Sequence, residues 1–106
     1  MKSITSQQIL QVLREYNKRY EKEGFQVVGL FGSYARGQAE DFSDIDLVYR
    51  IDHDRFHPGD AFKKLEEVQK IRRELEAVFR RPVDLIPYPS KISPLKTKLE
   101  RELLSA

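Results

Sequence analysis

The stretch Gly32–Leu47, GSYARGQAEDFSDIDL, constrains the fold of this chain more than any other part of it. Before it, Phe25–Phe31 is a short apolar run with β-branched and aromatic residues, which is typical of a buried strand. At its end, Asp44–Ile51 alternates like a second strand, and side chains two residues apart share a face. The pattern therefore predicts a strand, a glycine-serine turn and a second strand that carries Asp44 and Asp46 on one face.

The turn is suited to binding phosphate, and the carboxylates are suited to binding a divalent metal. Gly32 lets the backbone bend sharply and approach a phosphate, and Ser33 offers a hydroxyl and a backbone N–H. Asp44 and Asp46 lie about 6.5–7 Å apart along a strand, within reach of a pair of ions that are roughly 3.5–4 Å apart in such sites. Taken alone, the glycine-serine pair could be an ordinary turn, and the two aspartates could simply be solvent-exposed acids. Together they indicate nucleotide transfer from a triphosphate.

A third carboxylate, Asp84, lies in the short strand pattern Val83–Ile86. If this strand lies beside the Asp44–Asp46 strand, Asp84 comes within metal-binding distance. The alternative is an aspartate at a strand end that pairs with Arg80 or Arg81. The presence of the turn and of the first two carboxylates favours metal binding by Asp84 over the ion pair.

Arg36 and the two histidines each have more than one possible role. Arg36 is a candidate phosphate contact, but an ion pair with Glu40 or Asp41 is equally well supported. His53 and His57 lie in a polar loop, where surface histidines are the simpler interpretation.

The rest of the pattern predicts three helices around these strands. The first covers 6–23 behind a Thr5–Gln8 capping box, the second follows the N-cap Asp60 and runs to Phe79, and the third begins at Ser93. The expected apolar positions of the second and third helices are Phe62, Leu65, Val68, Ile71, Leu75, Val78, Leu95, Leu99 and Leu103. The order is helix, strand, turn, strand, helix, strand, helix, which predicts an α/β fold: a small mixed sheet with helices packed against it.

Composition narrows the classes of protein. We expect the 106 residues to form a single domain, 1–106. The 19 basic and 17 acidic residues give a net charge of +2, which does not argue for nucleic acid. The absence of cysteine excludes disulfides and thiolate metal sites. With no signal-peptide core and no long apolar run, a soluble cytoplasmic protein without a membrane partner is expected.

The segments GSYARG, DFSDIDL and VDLI, in this order between Phe25 and Pro89, resemble the nucleotidyltransferase superfamily of the polymerase-beta type. More narrowly, they are similar to its minimal members. The resemblance implies that two Mg²⁺ ions bind to Asp44, Asp46 and Asp84. It also implies that Gly32 and Ser33 bind the triphosphate, with ATP as the co-substrate.

The resemblance further implies a function and a partner. Minimal members are commonly the antitoxin of a two-protein system, and they silence a HEPN-family ribonuclease toxin by transferring AMP to one of its tyrosines. We therefore expect an Mg²⁺-dependent transferase and a hetero-oligomer with a HEPN toxin. One alternative is an antitoxin that masks its partner without catalysis. Another is transfer to a small molecule such as an aminoglycoside, against which the lack of a second domain counts.

Overall fold

The protein is described here from a computed structural model, which covers residues 4–40, 43–89 and 91–106. The elements, in chain order, are α1 (Ser6–Tyr20), a 3₁₀ turn (Glu21–Glu23), β1 (Phe25–Phe31), β2 (Ile45–Ile51), α2 (Ala61–Phe79), β3 (Val83–Pro87), α3 (Pro94–Glu102) and β4 (Leu104–Ser105). The three predicted helices and three predicted strands are therefore present. The short strand β4 was not predicted.

The helices begin where the sequence predicts. Thr5 accepts a hydrogen bond from the backbone of Gln8 at 3.1 Å, and the Gln8 side chain accepts one from the backbone of Thr5 at 2.9 Å, which completes the capping box. Asp60 and Ser93 each accept a backbone N–H three residues further on, at 2.9 and 3.1 Å. These bonds satisfy donors that the first helical turn leaves unpaired.

The four strands form one mixed sheet in the order β3-β2-β1-β4. Strand β1 is antiparallel to both β2 and β4, whereas β2 and β3 are parallel. The register places Phe31 opposite Asp46, and Asp46 opposite Asp84. The end of β1 and the beginnings of β2 and β3 therefore meet at one end of the sheet, which is the end that carries the predicted site.

The two faces of the sheet are covered by different helices. Helices α1 and α2 pack on one face, and the fully buried core there includes Leu13, Leu47 and Leu75. Helix α3 lies against the other face, where the Lys98 ammonium is 6.0 Å from the centre of the Phe31 ring. Asp46 and Phe31 share that second face, since they are register partners.

Part of the predicted apolar stripe of α2 is wrong. Phe62, Leu65 and Val78 are 73%, 61% and 53% exposed, and Phe79 is buried in place of its neighbour Val78. The 19 residues of α2 span about 28 Å, but its neighbour β3 has only five residues and spans about 17 Å. Helix α2 is therefore longer than the strand beside it, so β3 cannot cover its whole apolar stripe. In α3, Leu99 is buried as predicted, whereas Leu95 is 46% exposed.

No helix in the described part of the chain is long and apolar enough to cross a membrane.

Candidate active site

The segment after β1 is a series of hydrogen-bonded turns. The backbone N–H of Arg36 donates to the carbonyl of Gly32 at 3.1 Å, and that of Gln38 donates to the carbonyl of Ser33 at 2.9 Å. Residues 32–37 are turns without a helix, as the predicted glycine-serine turn requires. Gly32 has φ 79°, a conformation that side-chain-bearing residues rarely adopt.

Gly32 also lies against one of the predicted metal ligands. A Cβ at this position would collide with Oδ2 of Asp46. Glycine is therefore required twice, by its backbone conformation and by the close approach of the carboxylate. The same approach shows that the glycine-serine turn and the carboxylate of Asp46 are in direct contact.

The parallel pairing of β2 and β3 brings Asp46 and Asp84 side by side. They are register partners, so their side chains point to the same face of the sheet. Asp46 is half-buried and Asp84 is exposed. Asp44 lies one residue before β2 and is also exposed.

The charges at this end of the sheet act on Asp46. Burial raises the pKa of the Asp46 carboxyl above its ordinary value of 3.8, and the negative charges of Asp84 and Asp44 raise this pKa further. The positive charge of Arg36 lowers it. Three carboxylates and one arginine are thus close enough to influence one another electrostatically. The concentration of negative charge makes the site attractive to a cation.

The alternative ion pair of Asp84 with Arg80 or Arg81 is absent among the residues the structure describes. Arg80 ends α2 in the left-handed conformation, with φ 55°. Arg81 donates its Nε–H to the hydroxyl of Tyr34 at 2.8 Å. Tyr34 is buried in the apolar core, so Arg81 is tied to the core side of the turn and is not available to Asp84.

Arg36 has a partner that the sequence did not reveal. Its Nη1 lies 3.7 Å from Oε2 of Glu102 at the end of α3, and its Nε donates to Oε1 of Gln38 at 3.2 Å. Within the described chain it forms no ion pair with Glu40. Asp41, the other predicted partner, lies outside the described residues. No local sequence signal could have found Glu102, which lies far away along the chain.

The chemistry of the donor set fits Mg²⁺, which prefers carboxylate oxygens and retained waters. Asp46 and Asp84 lie side by side on one face of the sheet, and a bound cation would relieve the repulsion that disfavours the ionised form of Asp46. In the described residues, no group of three or more acidic, histidine or cysteine side chains is already gathered closely enough to hold a metal. The roles of Asp44, Asp46 and Asp84 as metal ligands therefore stay predictions.

The two histidines lie away from this site. His53 Nδ1 is 3.0 Å from Nζ of Lys64, and the His57 ring packs edge-on against Phe56. A cavity of about 470 Å³ includes His53 and Tyr88 and lies at the opposite end of β2 and β3 from the carboxylates. It has no contact with the glycine-serine turn.

Comparisons with known proteins show the family of the chain. Residues 8–105 match the Nucleotidyltransferase domain family, and the chain belongs to that family. It is 31% identical over 105 residues to the protein adenylyltransferase MntA of Thermococcus cleftensis, covering 98% of each chain. It is 32% identical over 103 residues to a protein of Methanocaldococcus jannaschii that is provisionally named a protein adenylyltransferase, covering 94% of this chain and 96% of the relative.

Solved structures show the same fold. One, provisionally described as a minimal nucleotidyltransferase, superposes with a TM-score of 0.73 at 21% identity over 100% of both chains. Another, described as a toxin-antitoxin with AMP-PNP, gives a TM-score of 0.60 at 20% identity over 87% of this chain and 69% of that one. The predicted α/β fold and the predicted nucleotidyltransferase class of enzyme are confirmed.

Proposed function

We propose that this nucleotidyltransferase transfers AMP from ATP to a hydroxyl group of a partner protein, namely a tyrosine of a HEPN-family toxin, and thereby acts as an antitoxin. The observation that carries the proposal is the pairing of Asp46 with Asp84 directly beside the Gly32–Ser33 turn. The relatives that match nearly the whole chain are named protein adenylyltransferases, which supports the choice of AMP and of a protein acceptor.

Each residue of the site has a part in this reaction. Gly32 allows the triphosphate to approach the backbone, and Ser33 donates from its hydroxyl and its N–H. Arg36 adds a guanidinium, which suits phosphate oxygens. Asp44, Asp46 and Asp84 would hold two Mg²⁺ ions, which supply a lower pKa for the acceptor hydroxyl and neutralisation of the triphosphate charge.

The bond changes follow from these positions. The acceptor oxygen bonds to the α-phosphorus of ATP, the bond from that phosphorus to the bridging oxygen breaks, and pyrophosphate leaves with the electron pair. The hydroxyl proton passes to a base, a role that we assign to the exposed carboxylate of Asp84. Positioning and electrostatic stabilisation supply most of the rate in phosphoryl chemistry of this kind.

The exposure of the site supports an acceptor that another protein brings. Asp44 and Asp84 are both exposed at the end of the sheet, so a tyrosine on a partner surface can reach them. A structural neighbour described as a toxin-antitoxin with AMP-PNP supports a toxin as that partner. Binding of the toxin makes the functional form a hetero-oligomer.

The direct test is a reaction of the purified protein with ATP, Mg²⁺ and the protein encoded by its neighbouring gene. We expect one AMP added to a tyrosine of that neighbour, measured by intact-mass and fragment-mass spectrometry. The Asp46→Asn/Asp84→Asn double variant is the control and should add none. An unmodified neighbour after incubation with wild-type enzyme, although the two proteins bind each other, contradicts the proposal.

The same double variant separates catalysis from masking. If AMP transfer silences the toxin, cells that produce the toxin with the double variant should stop growing, whereas wild type should protect them. Equal protection by both would favour an antitoxin that acts by binding alone.

A further inference from the structure

Helix α3 places a carboxylate next to the arginine of the phosphate-binding turn. Arg36 is in that turn, and its backbone is hydrogen-bonded to Gly32. Its guanidinium donates from Nε to Gln38 at 3.2 Å, and Nη1 lies 3.7 Å from the Glu102 carboxylate, an ion-pair distance. The hydrogen bond and the attraction of Glu102 together favour one orientation of the guanidinium and leave its other N–H groups for a ligand.

The environment of Glu102 is unusual for a carboxylate. Its Oε2 is shielded from solvent, and in the described structure it has no hydrogen-bond partner. At 3.7 Å, Arg36 attracts this oxygen, but the separation is beyond the normal range of a hydrogen bond. Arg36 is the ion-pair partner of this shielded oxygen, whereas Lys98 and Arg101 line the same cleft without pairing with it in the described structure, so the oxygen is placed to act on Arg36.

The end of α3 is held in place, so that Glu102 can position another group. The backbone N–H of Leu103 donates to Leu99 at 2.8 Å, and β4 follows at once and pairs with β1. Gly29 permits this pairing, because a Cβ there would collide with the carbonyl of Leu104. The chain next to Glu102 is therefore anchored to the strand that leads into the phosphate-binding turn.

We propose that Glu102 is a positioning residue for nucleotide binding: it holds the Arg36 guanidinium in the orientation that receives the triphosphate. An arginine already held in place loses less side-chain freedom when it binds phosphate, so its contact contributes more to affinity. This inference rests on the proposed function, because it assumes that Arg36 contacts the phosphates.

The test measures nucleotide binding without any acceptor protein. The probe is AMP-PNP with Mg²⁺, titrated calorimetrically into wild type, Glu102→Gln, Arg36→Ala and the double variant. We expect Glu102→Gln to weaken binding about three- to tenfold, and to have no further effect once Arg36 is alanine. In the transfer reaction, KM for ATP should rise by a similar factor while kcat stays within about twofold.

Glu100→Gln is the matched control. Glu100 is on the same helix and accepts a hydrogen bond from Tyr88 at 3.3 Å, away from Arg36. This control should bind AMP-PNP like wild type and unfold at a similar temperature. A second readout is the Nε–H signal of Arg36 in NMR spectra, which should exchange faster with solvent in Glu102→Gln than in Glu100→Gln.

The outcomes separate this inference from the proposed function. Unchanged or tighter binding by Glu102→Gln overturns the positioning role, even if wild type transfers AMP normally. Binding that depends on Glu102, together with no AMP on the partner, supports the positioning role and contradicts the proposed function. Equal losses in the single variant and in the Arg36→Ala background also overturn the inference, because Glu102 would then act independently of the arginine.

Discussion

The two faces of the sheet place neighbouring residues of one strand in opposite environments. On the α1–α2 face, Ile45 and Leu47 are fully buried in the apolar core. Between them, Asp46 points to the α3 face, where it is half-buried against Asp84. On this second face Val48 is also fully buried, so the face is apolar in the middle and acidic at its end.

The difference shows how one strand serves stability and chemistry together. Burial of apolar side chains is the main favourable contribution to folding, and the α1–α2 face supplies it. The acidic end of the α3 face opposes folding, because partial burial and like charges both disfavour an ionised Asp46. Substitutions on the α1–α2 face should therefore lower stability. Substitutions that remove a carboxylate at the acidic end should lower activity but raise stability.

The largest expected effect is that of Asp46→Asn. We expect AMP transfer to fall by orders of magnitude, because the carboxylate is lost, and the melting temperature without divalent ions to rise. In wild type the folded protein holds the Asp46 proton more tightly than the unfolded chain does. The protonated Asp46 therefore contributes to stability below pH 3.8, and this contribution is lost as pH rises above that value, which is why the variant should be the more stable protein near neutral pH.

Thermal unfolding at pH 3 and pH 7.5 checks the stability part of that prediction. The two proteins should melt at similar temperatures at pH 3, and Asp46→Asn should melt higher at pH 7.5. A variant that melts lower than wild type at pH 7.5 would show that the acidic end does not oppose folding.

The neighbouring substitution Leu47→Ala should have the next largest effect, on stability. Removing a fully buried leucine leaves a cavity and costs about 2–5 kcal/mol of unfolding free energy. Urea unfolding measures this cost. Phe62→Ala is the control, since Phe62 is 73% exposed and its replacement should change the free energy by less than about 0.5 kcal/mol. Similar losses in the two variants would mean that the exposed start of α2 is packed after all.

The smallest expected effect is that of Tyr16→Phe, between the two helices of the core face. The Tyr16 hydroxyl donates to Glu74 Oε2 at 2.8 Å, and burial together with this bond raises the pKa of Tyr16 above its ordinary value of 10.0. The substitution should cost about 0.5–1.5 kcal/mol near neutral pH. Because the folded state keeps the proton more tightly, this contribution is present below pH 10 and decreases as pH rises above it.

Urea unfolding at pH 8 and pH 10.5 measures that decrease, with Tyr88→Phe as the control. Tyr88 also donates to a glutamate, Glu100, but in an exposed bond of 3.3 Å. A difference between wild type and Tyr16→Phe that is larger at pH 10.5 than at pH 8 contradicts the prediction.

Much of the fold could be predicted because its signals are local. The capping pairs, the apolar run of β1 and the alternation in β2 each depend on residues a few positions apart, and the structure has these elements with nearly the predicted bounds. The exposure of Phe62 and Leu65 at the start of α2 could not be predicted, because the periodicity of the helix is sound and the exposure depends on how the helix packs on the sheet. Likewise β4 has two residues, too few for a pattern.

For the site, the sequence by itself determined which chemical groups are available: a glycine-serine turn and three carboxylates at spacings typical of nucleotide transfer. Only the tertiary structure decided which of them meet, since the parallel register of β2 and β3 pairs Asp46 with Asp84. It also decided that Arg36 meets Glu102 rather than Glu40. Residue types and short spacings are written along the chain, whereas contacts between distant segments depend on how strands pair and where helices lie on the sheet.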